Sequence, residues 1–596
     1  MTGEKNRERK FYIICFVVIW AVQMAAAFYF CTCKQGFHED EYYTYYSTAR
    51  TNGFYIEDGV WMTREAYRNE FVVLKGQQFQ YGLVKQVQSW DVHPPVYYWV
   101  FHTVESLTPG VFSKWTGLML NLFFHGINLV LLTYLSYLMC GRNRKAALGV
   151  TLFYGLTPAA VSGVVFIRMY EMLTMWVLIC AILHVQAVKS REEAVLAERV
   201  SAGAKDAGAA AVWKLSLKKF LIPLSVVTYL GFLTQYYYFI FLFFIGAAFC
   251  VYLLWRDRSV RNCLRYGISQ MAAFALAYLT YPSCLGQMFR GQRGAQATEN
   301  FMDLSNTLER LRFFYDLLDE YVFGEWLTEF LLVMMAAAVL WVYVEKRWRK
   351  KGDVRARTSA ERGIAADTAF WVLAAAVTGY FLAVSKTALL LGDTSNRYQL
   401  PVYGMIVLLL FTAAWRLGAR LWDCILTGRS AEVSGSKEPG IKEPKTNASG
   451  RSGVAGRKLA VSAAVILCLL VDLNGLAGGR VVFLYPEDER QTAFAAECAR
   501  TDIPVVYLYQ PGAEWCVWDV TNELLEYPAV YFAAADSSEL IADERIAQAQ
   551  QLVVYLADGA DADVQLQRIL DGCEYLTEYG QPVFEEKYCD VYYLQQ

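Results

Sequence analysis

Long apolar runs separated by short charged segments extend through most of the chain. A helix that crosses a bilayer needs roughly 20 predominantly apolar residues, and about eleven runs approach that length. The pattern therefore predicts an all-α polytopic membrane protein. The predicted spans are residues 11–30, 114–139, 146–166, 170–188, 220–235, 237–255, 267–285, 326–344, 368–390, 398–415 and 459–478.

The charged segments predict the orientation in the membrane. Cytoplasmic loops carry an excess of Lys and Arg, and a basic N-terminus precedes the first apolar run, which we interpret as a retained anchor. We therefore expect a plasma-membrane protein with a cytoplasmic N-terminus and an extracytoplasmic C-terminal domain. The other predicted inner segments, all rich in Lys and Arg, are 140–145, 189–219, 256–266, 345–367 and 416–458.

Three regions outside the predicted spans differ from the spans in residue pattern and composition. Within the first outer loop, 31–113, residues 61–90 mix apolar and charged residues at near-helical spacing, as helices lying on a membrane do. Residues 426–458, rich in Gly, Ser, Pro and Lys, predict a flexible cytoplasmic linker between a transmembrane region, 1–425, and the last span, 459–480. Strand-like runs alternate with helical patterns in 481–596, which predicts a small α/β domain.

Composition supports the membrane class. The 596 residues are 56% hydrophobic and 19% charged, whereas soluble proteins have roughly 45–50% and about 25%. The net charge of −2 gives no reason to expect a nucleic-acid partner. Four cysteines in the C-terminal domain are compatible with one or two disulfides and equally with free thiols. They are Cys498, Cys516, Cys573 and Cys589.

Polar side chains concentrate at the predicted outer ends of the spans. Glu39, Asp40 and Glu41 follow the first span, and we expect no basic partner for them within several residues. Such a set suits the transfer of a sugar from a lipid phosphate, because a carboxylate accepts the acceptor's proton, arginines or a divalent cation hold the phosphate, and aromatic rings pack against sugars. The other candidates are Asp91, His93, Arg168, Tyr170, Glu171, Gln235, Tyr236, Arg293, Arg397 and Tyr398.

Several short motifs resemble those of a known family. The pattern F-x-x-DE after the first span and D-x-HPPxYY before the second resemble the GT-C glycosyltransferases. The likeness is to the protein O-mannosyltransferase branch and its bacterial relatives, which include the aminoarabinose transferase acting on lipid A. The later motifs "RMYEMLTMW", "GFLTQYYYF" and "RYQLPVYGMIVLL" also look like that branch. The resemblance covers residues 8–415 and leaves 481–596 unexplained.

The resemblance implies an inverting transfer of a monosaccharide from a polyprenyl-phosphate donor at the outer face of the membrane. It assigns the catalytic carboxylate to Asp40, with Glu41 beside it. It places Asp91 and His93 at the same cavity, where a divalent metal is allowed, and Arg397 at the lipid phosphate. The other residues in the matching motifs would bind substrate. Gln235 departs from the pattern, since relatives often carry His there.

Each signal also has a structural interpretation. The acids at 39–41 are compatible with a solvated membrane edge, the HPP segment with a rigid helix start, and the outer arginines with side chains that reach the headgroups. Two other functions are compatible with the sequence: a transporter or flippase for a lipid-linked sugar, and a non-catalytic membrane protein that binds cell-envelope polymer. The sequence does not identify the sugar or the acceptor, which could be a protein, a wall polymer or a lipid.

Overall fold

The computed structural model describes residues 2–49, 56–201, 214–349, 367–435, 463–535, 537 and 543–596. The chain divides into two compact units. The helical unit comprises Met1–Ala27, Leu122–Gly163 and Met169–Val482, and the mixed unit comprises Phe28–Asn121, Val164–Arg168 and Phe483–Gln596.

Long helices account for most of the helical unit, and each predicted span overlaps a helix; residues 459–462 of the last predicted span lie outside the described residues. The long helices and those that flank them are Thr2–Cys33, Lys114–Met139, Arg144–Tyr154, Pro158–Val165, Tyr170–Ser201, Leu217–Leu221, Ile222–Phe232, Tyr237–Asp257, Val260–Thr280, Ser283–Phe289, Gln292–Met302, Thr307–Leu318, Asp319–Phe323, Leu327–Arg349, Thr368–Thr387, Thr394–Tyr398, Leu400–Gly435 and Ala463–Ala477.

Within the described part of the chain, seven helices are long and apolar enough to cross a membrane. Residues 146–166 form two helices, Arg144–Tyr154 and Pro158–Val165, bent by 62°, and the number becomes eight if this pair is one span. Pro158 lacks the N–H that would continue the first helix's hydrogen bonds, which accounts for the break. The remaining predicted spans fall on Ile222–Phe232, Val260–Thr280 and Ala463–Ala477, which do not meet the same length and hydropathy limits. The fold class is confirmed as polytopic and helical, with fewer clear spans than the predicted eleven.

Polar contacts fix the first helix against its neighbours in the helical unit. The Trp20 indole N–H donates to the Gly126 carbonyl at 3.0 Å, and the Gln23 amide donates to the Thr151 carbonyl at 2.6 Å. Hydrogen bonds of this kind join helices in an environment without a hydrophobic driving force between them. Of the predicted linker 426–458, residues 426–435 extend the helix Leu400–Gly435, and the rest lies outside the described residues.

The mixed unit is built on one seven-stranded sheet, which confirms the predicted α/β character of the C-terminal segment. Its strand order is β1-β3-β2-β4-β7-β5, with β6 paired to β7, and only the β2–β3 and β2–β4 pairs are parallel. The strands are Val60–Thr63 (β1), Val505–Tyr509 (β2), Ala529–Ala534 (β3), Gln551–Ala557 (β4), Glu578–Tyr579 (β5), Phe584–Glu585 (β6) and Cys589–Gln595 (β7).

One edge strand of this sheet comes from the first loop, far away in sequence. Strand β1 pairs antiparallel with β3, with Val60 opposite Phe532 and Thr63 opposite Ala529. The C-terminal segment therefore folds together with part of 31–113. The four cysteines named above are free thiols. The helices of the unit are Glu39–Ala49, Arg64–Arg68, Asn69–Phe71, Tyr81–Trp90, Val96–Leu107, Asp488–Arg500, Glu514–Val520, Thr521–Leu524, Glu544–Ala547 and Ala562–Gly572.

Candidate active site

The helix Glu39–Ala49 of the mixed unit begins with three consecutive acids, Glu39, Asp40 and Glu41. Carboxylates are favourable in the first turn of a helix because the unpaired N–H groups and the helix dipole make that end positive. The three side chains nevertheless have different surroundings, and these surroundings separate their roles.

Glu41 is completely buried and fully engaged. Its Oε2 accepts from the Lys34 ammonium at 2.9 Å and from the His38 N–H at 2.7 Å, and its Oε1 accepts from the Ile167 N–H at 2.7 Å. Lys34, also completely buried, donates to the Phe483 carbonyl at 2.7 Å as well. The expectation of no nearby basic partner was thus wrong for Glu41. With both oxygens occupied, this carboxylate joins the segment 34–41 to the Ile167 segment and, through Lys34, to Phe483, and it is placed to hold the structure around Asp40.

Asp40 is the acid that combines solvent access with a cation. Its side chain is 30% exposed, and its Oδ1 lies 3.7 Å from Nη2 of Arg168, which is buried. The Arg168 Nη1 donates to the Asp40 carbonyl at 2.9 Å and to the Tyr98 hydroxyl at 3.1 Å. On the other side, the Asp40 Oδ2 lies 3.8 Å from His38 Nδ1. Asp40 therefore presents a carboxylate whose position is fixed by its own helix and by a buried guanidinium.

Asp91 and His93 lie near the same carboxylate. They follow the helix Tyr81–Trp90, and the His93 ring lies 6.5 Å from the Tyr98 ring. Burial and the Arg168 charge lower the pKa of His93 to about 4, although Asp91 and Asp40 favour its charged form. His93 is therefore neutral at physiological pH and can both donate and accept a hydrogen bond without adding charge to the site. The structure thus brings together four predicted site residues, Asp40, Asp91, His93 and Arg168.

These residues do not by themselves provide a preformed metal site. Protein metal centres commonly take three or more side-chain ligands. Across the residues that the structure describes, no group of three or more His, Cys, Asp or Glu side chains is arranged to hold a metal ion. The cation beside Asp40 is instead the Arg168 guanidinium.

Two residues of this cluster were missed at the sequence level. His38 lies within 3.8 Å of both the Glu39 and the Asp40 carboxylate, and its Nδ1 accepts the Asp40 N–H at 3.1 Å. Its place immediately before the acids is the signal that could have identified it. Lys587 binds Glu39, with its ammonium 2.7 Å and 2.8 Å from the two carboxylate oxygens. No local pattern points to that lysine, since it lies in the C-terminal domain.

A second cluster lies in the helical unit and contains three predicted residues. Arg397 is buried, with its guanidinium 5.1 Å from the centre of the Tyr398 ring. The Tyr398 ring in turn lies 6.2 Å from the Tyr170 ring and 5.8 Å from the Tyr237 ring. A guanidinium among aromatic rings offers both charge and flat apolar faces to a ligand.

The other predicted residues of the helical unit lie elsewhere. The Glu171 carboxylate accepts from the Asn128 amide at 2.7 Å and lies 3.3 Å from His125 Nδ1. Tyr236 donates its hydroxyl hydrogen to Gln287 at 2.5 Å. Gln235 is buried, and Arg293 is exposed on the helix Gln292–Met302.

No family model and no curated protein matches this chain. Among solved structures, the chain is similar to ArnT from Cupriavidus metallidurans bound to undecaprenyl phosphate, with 11% identity, 97% of each chain covered and a TM-score of 0.48. It is also similar to the Archaeoglobus fulgidus oligosaccharyltransferase in the apo form, with 10% identity, 95% of this chain and 69% of that chain covered, and a TM-score of 0.41.

Proposed function

We propose that this protein is an integral-membrane glycosyltransferase that moves a monosaccharide from a polyprenyl-phosphate donor to an acceptor hydroxyl. The observation that carries the proposal is the Asp40–Arg168 pair, in which a partly exposed carboxylate is fixed beside a buried guanidinium. The resemblance of the surrounding motifs to the GT-C glycosyltransferases supports the same reaction class. The distribution of Lys and Arg supports a site on the extracytoplasmic face.

In this mechanism Asp40 is the general base. Its carboxylate accepts the proton of the acceptor hydroxyl while the hydroxyl oxygen forms a bond to the anomeric carbon. The bond between that carbon and the phosphate oxygen breaks, and polyprenyl phosphate departs with the electron pair. A single displacement of this kind inverts the configuration at the anomeric carbon. Because the base acts in one step, the carboxylate must be held in place before the substrates meet.

Other candidate residues of the two units have distinct proposed roles. Arg168 orients Asp40 through the main-chain carbonyl and is itself held by the Tyr98 hydroxyl. His93, neutral above a pKa of about 4, is suited to hydrogen-bond a sugar hydroxyl. Arg397 is our candidate for the lipid phosphate, because guanidinium groups bind phosphate oxygens by charge-assisted hydrogen bonds.

The test uses purified protein in lipid nanodiscs with radiolabelled polyprenyl-phosphate hexoses and pentoses. We expect sugar transfer or release by the wild type and a loss of about 10²–10⁴-fold in Asp40→Asn, with donor binding retained. Asp316→Asn is the matched control, since Asp316 is an exposed acid paired only across one helical turn with Arg312. An Asp40→Asn variant as active as the wild type would show that the assigned base is wrong.

Two further arms use the same preparation. Transfer that stops in EDTA and returns with added Mn²⁺ or Zn²⁺ would assign a metal to the reaction, with Asp91 and His93 as the candidate ligands. Donor that crosses the bilayer of a proteoliposome with its sugar still attached, in the absence of any transfer, would instead identify a lipid-linked sugar transporter.

A further inference from the structure

The C-terminal domain contributes a lysine to the acidic helix start. Lys587 lies in the turn between β6 and β7, and its ammonium donates to both oxygens of Glu39, at 2.7 Å and 2.8 Å. The Tyr588 hydroxyl donates to the same carboxylate at 3.3 Å. Glu39 directly precedes Asp40 in the chain. The C-terminal domain therefore contacts the residue next to the proposed base.

Lys587 is held in place by its own neighbours. Its N–H donates to the Asp519 carboxylate at 3.1 Å, and its ammonium lies 4.7 Å from the centre of the Tyr588 ring. That ring packs edge-on against Trp515, with 5.1 Å between the ring centres. Because the turn is fixed by these contacts, the lysine loses less side-chain freedom on binding Glu39 than a free surface lysine would.

The carboxylates of the adjacent residues Glu39 and Asp40 lie close to the same imidazole ring. Glu39 Oε2 and Asp40 Oδ2 each lie 3.8 Å from His38 Nδ1. Like charges this close disfavour each other's ionised form. Lys587 is the cation on Glu39, and Arg168 is the cation nearest the Asp40 carboxylate. Removing the lysine would leave a second negative charge directly beside the base.

We propose that Lys587 is a positioning residue for sugar transfer, which fixes Glu39 and balances its charge, so that the Asp40 carboxylate next to it is held in place. This inference rests on the proposed function. It assigns the C-terminal domain a part in catalysis that its sequence does not reveal.

Other charged and titratable groups lie around Glu39 and Asp40. His38 and Tyr43 lie on the same chain segment, Asp91 and His93 on the segment after Tyr81–Trp90, and Arg168 after the bent helix pair. The C-terminal domain adds Cys516, Asp519 and Tyr588. None of these groups changes in the variants used below, so differences between the pH–rate profiles report on Glu39 and Lys587.

The experiment compares pH–rate profiles of transfer for Lys587→Met, Lys587→Arg, Glu39→Gln and the double variant Glu39→Gln/Lys587→Met. For Lys587→Met we expect the acidic limb to move up by about one pH unit, so that kcat falls about tenfold at pH values below the limb and changes little on the plateau. Lys587→Arg should retain the wild-type limb. The double variant should return to the Glu39→Gln profile, because without the glutamate charge the lysine has nothing to neutralise. Lys75→Met, an exposed lysine of the same unit, is the control.

The outcomes separate this inference from the proposed function. If the wild type transfers sugar and Lys587→Met has an unshifted limb, the inference is overturned and the proposed function stands. A double variant as impaired as Lys587→Met also overturns it. If the wild type transfers no sugar from any donor, the proposed function fails and the inference fails with it. If Lys587→Met does not fold, the charge-swapped variant Glu39→Lys/Lys587→Glu is measured instead. Transfer by this variant would support the Glu39–Lys587 pair, and a folded variant without transfer would refute it.

Discussion

Two neighbouring acids at the start of one helix should respond in opposite ways to the same chemical change. Glu41→Gln is expected to lower the stability of the mixed unit strongly. Asp40→Asn is expected to lower transfer by about 10²–10⁴-fold and leave stability nearly unchanged. The reason is their surroundings, because Glu41 is completely buried against Lys34 whereas the Asp40 side chain is 30% exposed.

The size of the effect follows from the contacts of Glu41. Its two oxygens accept three hydrogen bonds, from Lys34, His38 and Ile167. A glutamine has one acceptor oxygen, so its NH₂ group must face one of these donors, and the Lys34 charge is left buried without a counter-charge. Breaking a buried ion pair by removing one partner costs about 3–5 kcal/mol. For a unit of this size, that corresponds to a fall in Tm of roughly 6–20 °C.

Thermal unfolding in nanodiscs, followed by the near-ultraviolet signal of the mixed unit's tryptophans and tyrosines, measures this difference. The cycle of Glu41→Gln, Lys34→Met and the double variant isolates the ion pair, because the double variant should be more stable than the sum of the single effects predicts. A Glu41→Gln protein within about 0.5 kcal/mol of the wild type, the range of ordinary surface substitutions, would refute the buried pair and the structural role that we assign to Glu41.

Two further predictions concern other parts of the chain. Burial raises the pKa of Asp488 and Glu586 to about 7, so the folded state binds more protons than the unfolded state between about pH 4 and pH 7. Stability should therefore fall as pH rises through this range, and Asp488→Asn should raise Tm at pH 8 by about 2–4 °C, for a gain near 1 kcal/mol, with a flatter profile between pH 5 and pH 8. In the helical unit, Lys386 donates to the Asp303 carbonyl at 2.6 Å and to Thr307 at 3.0 Å. Lys386→Met should therefore speed proteolysis within Gln292–Leu318 several-fold, whereas Arg312→Met, a change in an exposed ion pair, should not; equal cleavage rates would contradict this.

The sequence predicts the helical architecture well because hydropathy is a local signal. Each predicted span overlaps a helix, and the break near Pro158 is the kind that proline produces. The number of spans was less well predicted. Ile222–Phe232, with 11 residues, is too short to qualify by itself, although the apolar run 220–235 on which it lies approaches the length of a span. Run length in a sequence includes the residues that cap and turn a helix, so it overestimates helix length.

The candidate site could be predicted only in part. Local motifs identify Asp40, Asp91, His93 and Arg168, and the structure brings these four together. The motifs do not separate Asp40 from Glu41, because the difference lies in Lys34 and in the Ile167 N–H, which belongs to a segment more than a hundred residues away. Burial of a charged pair is a property of the tertiary fold, and no pattern of neighbours in the sequence encodes it.

The contribution of the C-terminal domain depends on two long-range connections. Strand β1 from the first loop completes the edge of the sheet through its pairing with β3. The turn before β7 carries Lys587 to Glu39, 548 residues earlier in the chain. Together these connections tie the loop that carries the acids to the domain at two places, so removal of the domain would leave β1 without its partner strand and Glu39 without the Lys587 ammonium. A shared sheet with a shared ion pair is difficult to explain if the domain only binds polymer at a distance from the chemistry. It is the arrangement expected of a domain that helps to build the active site.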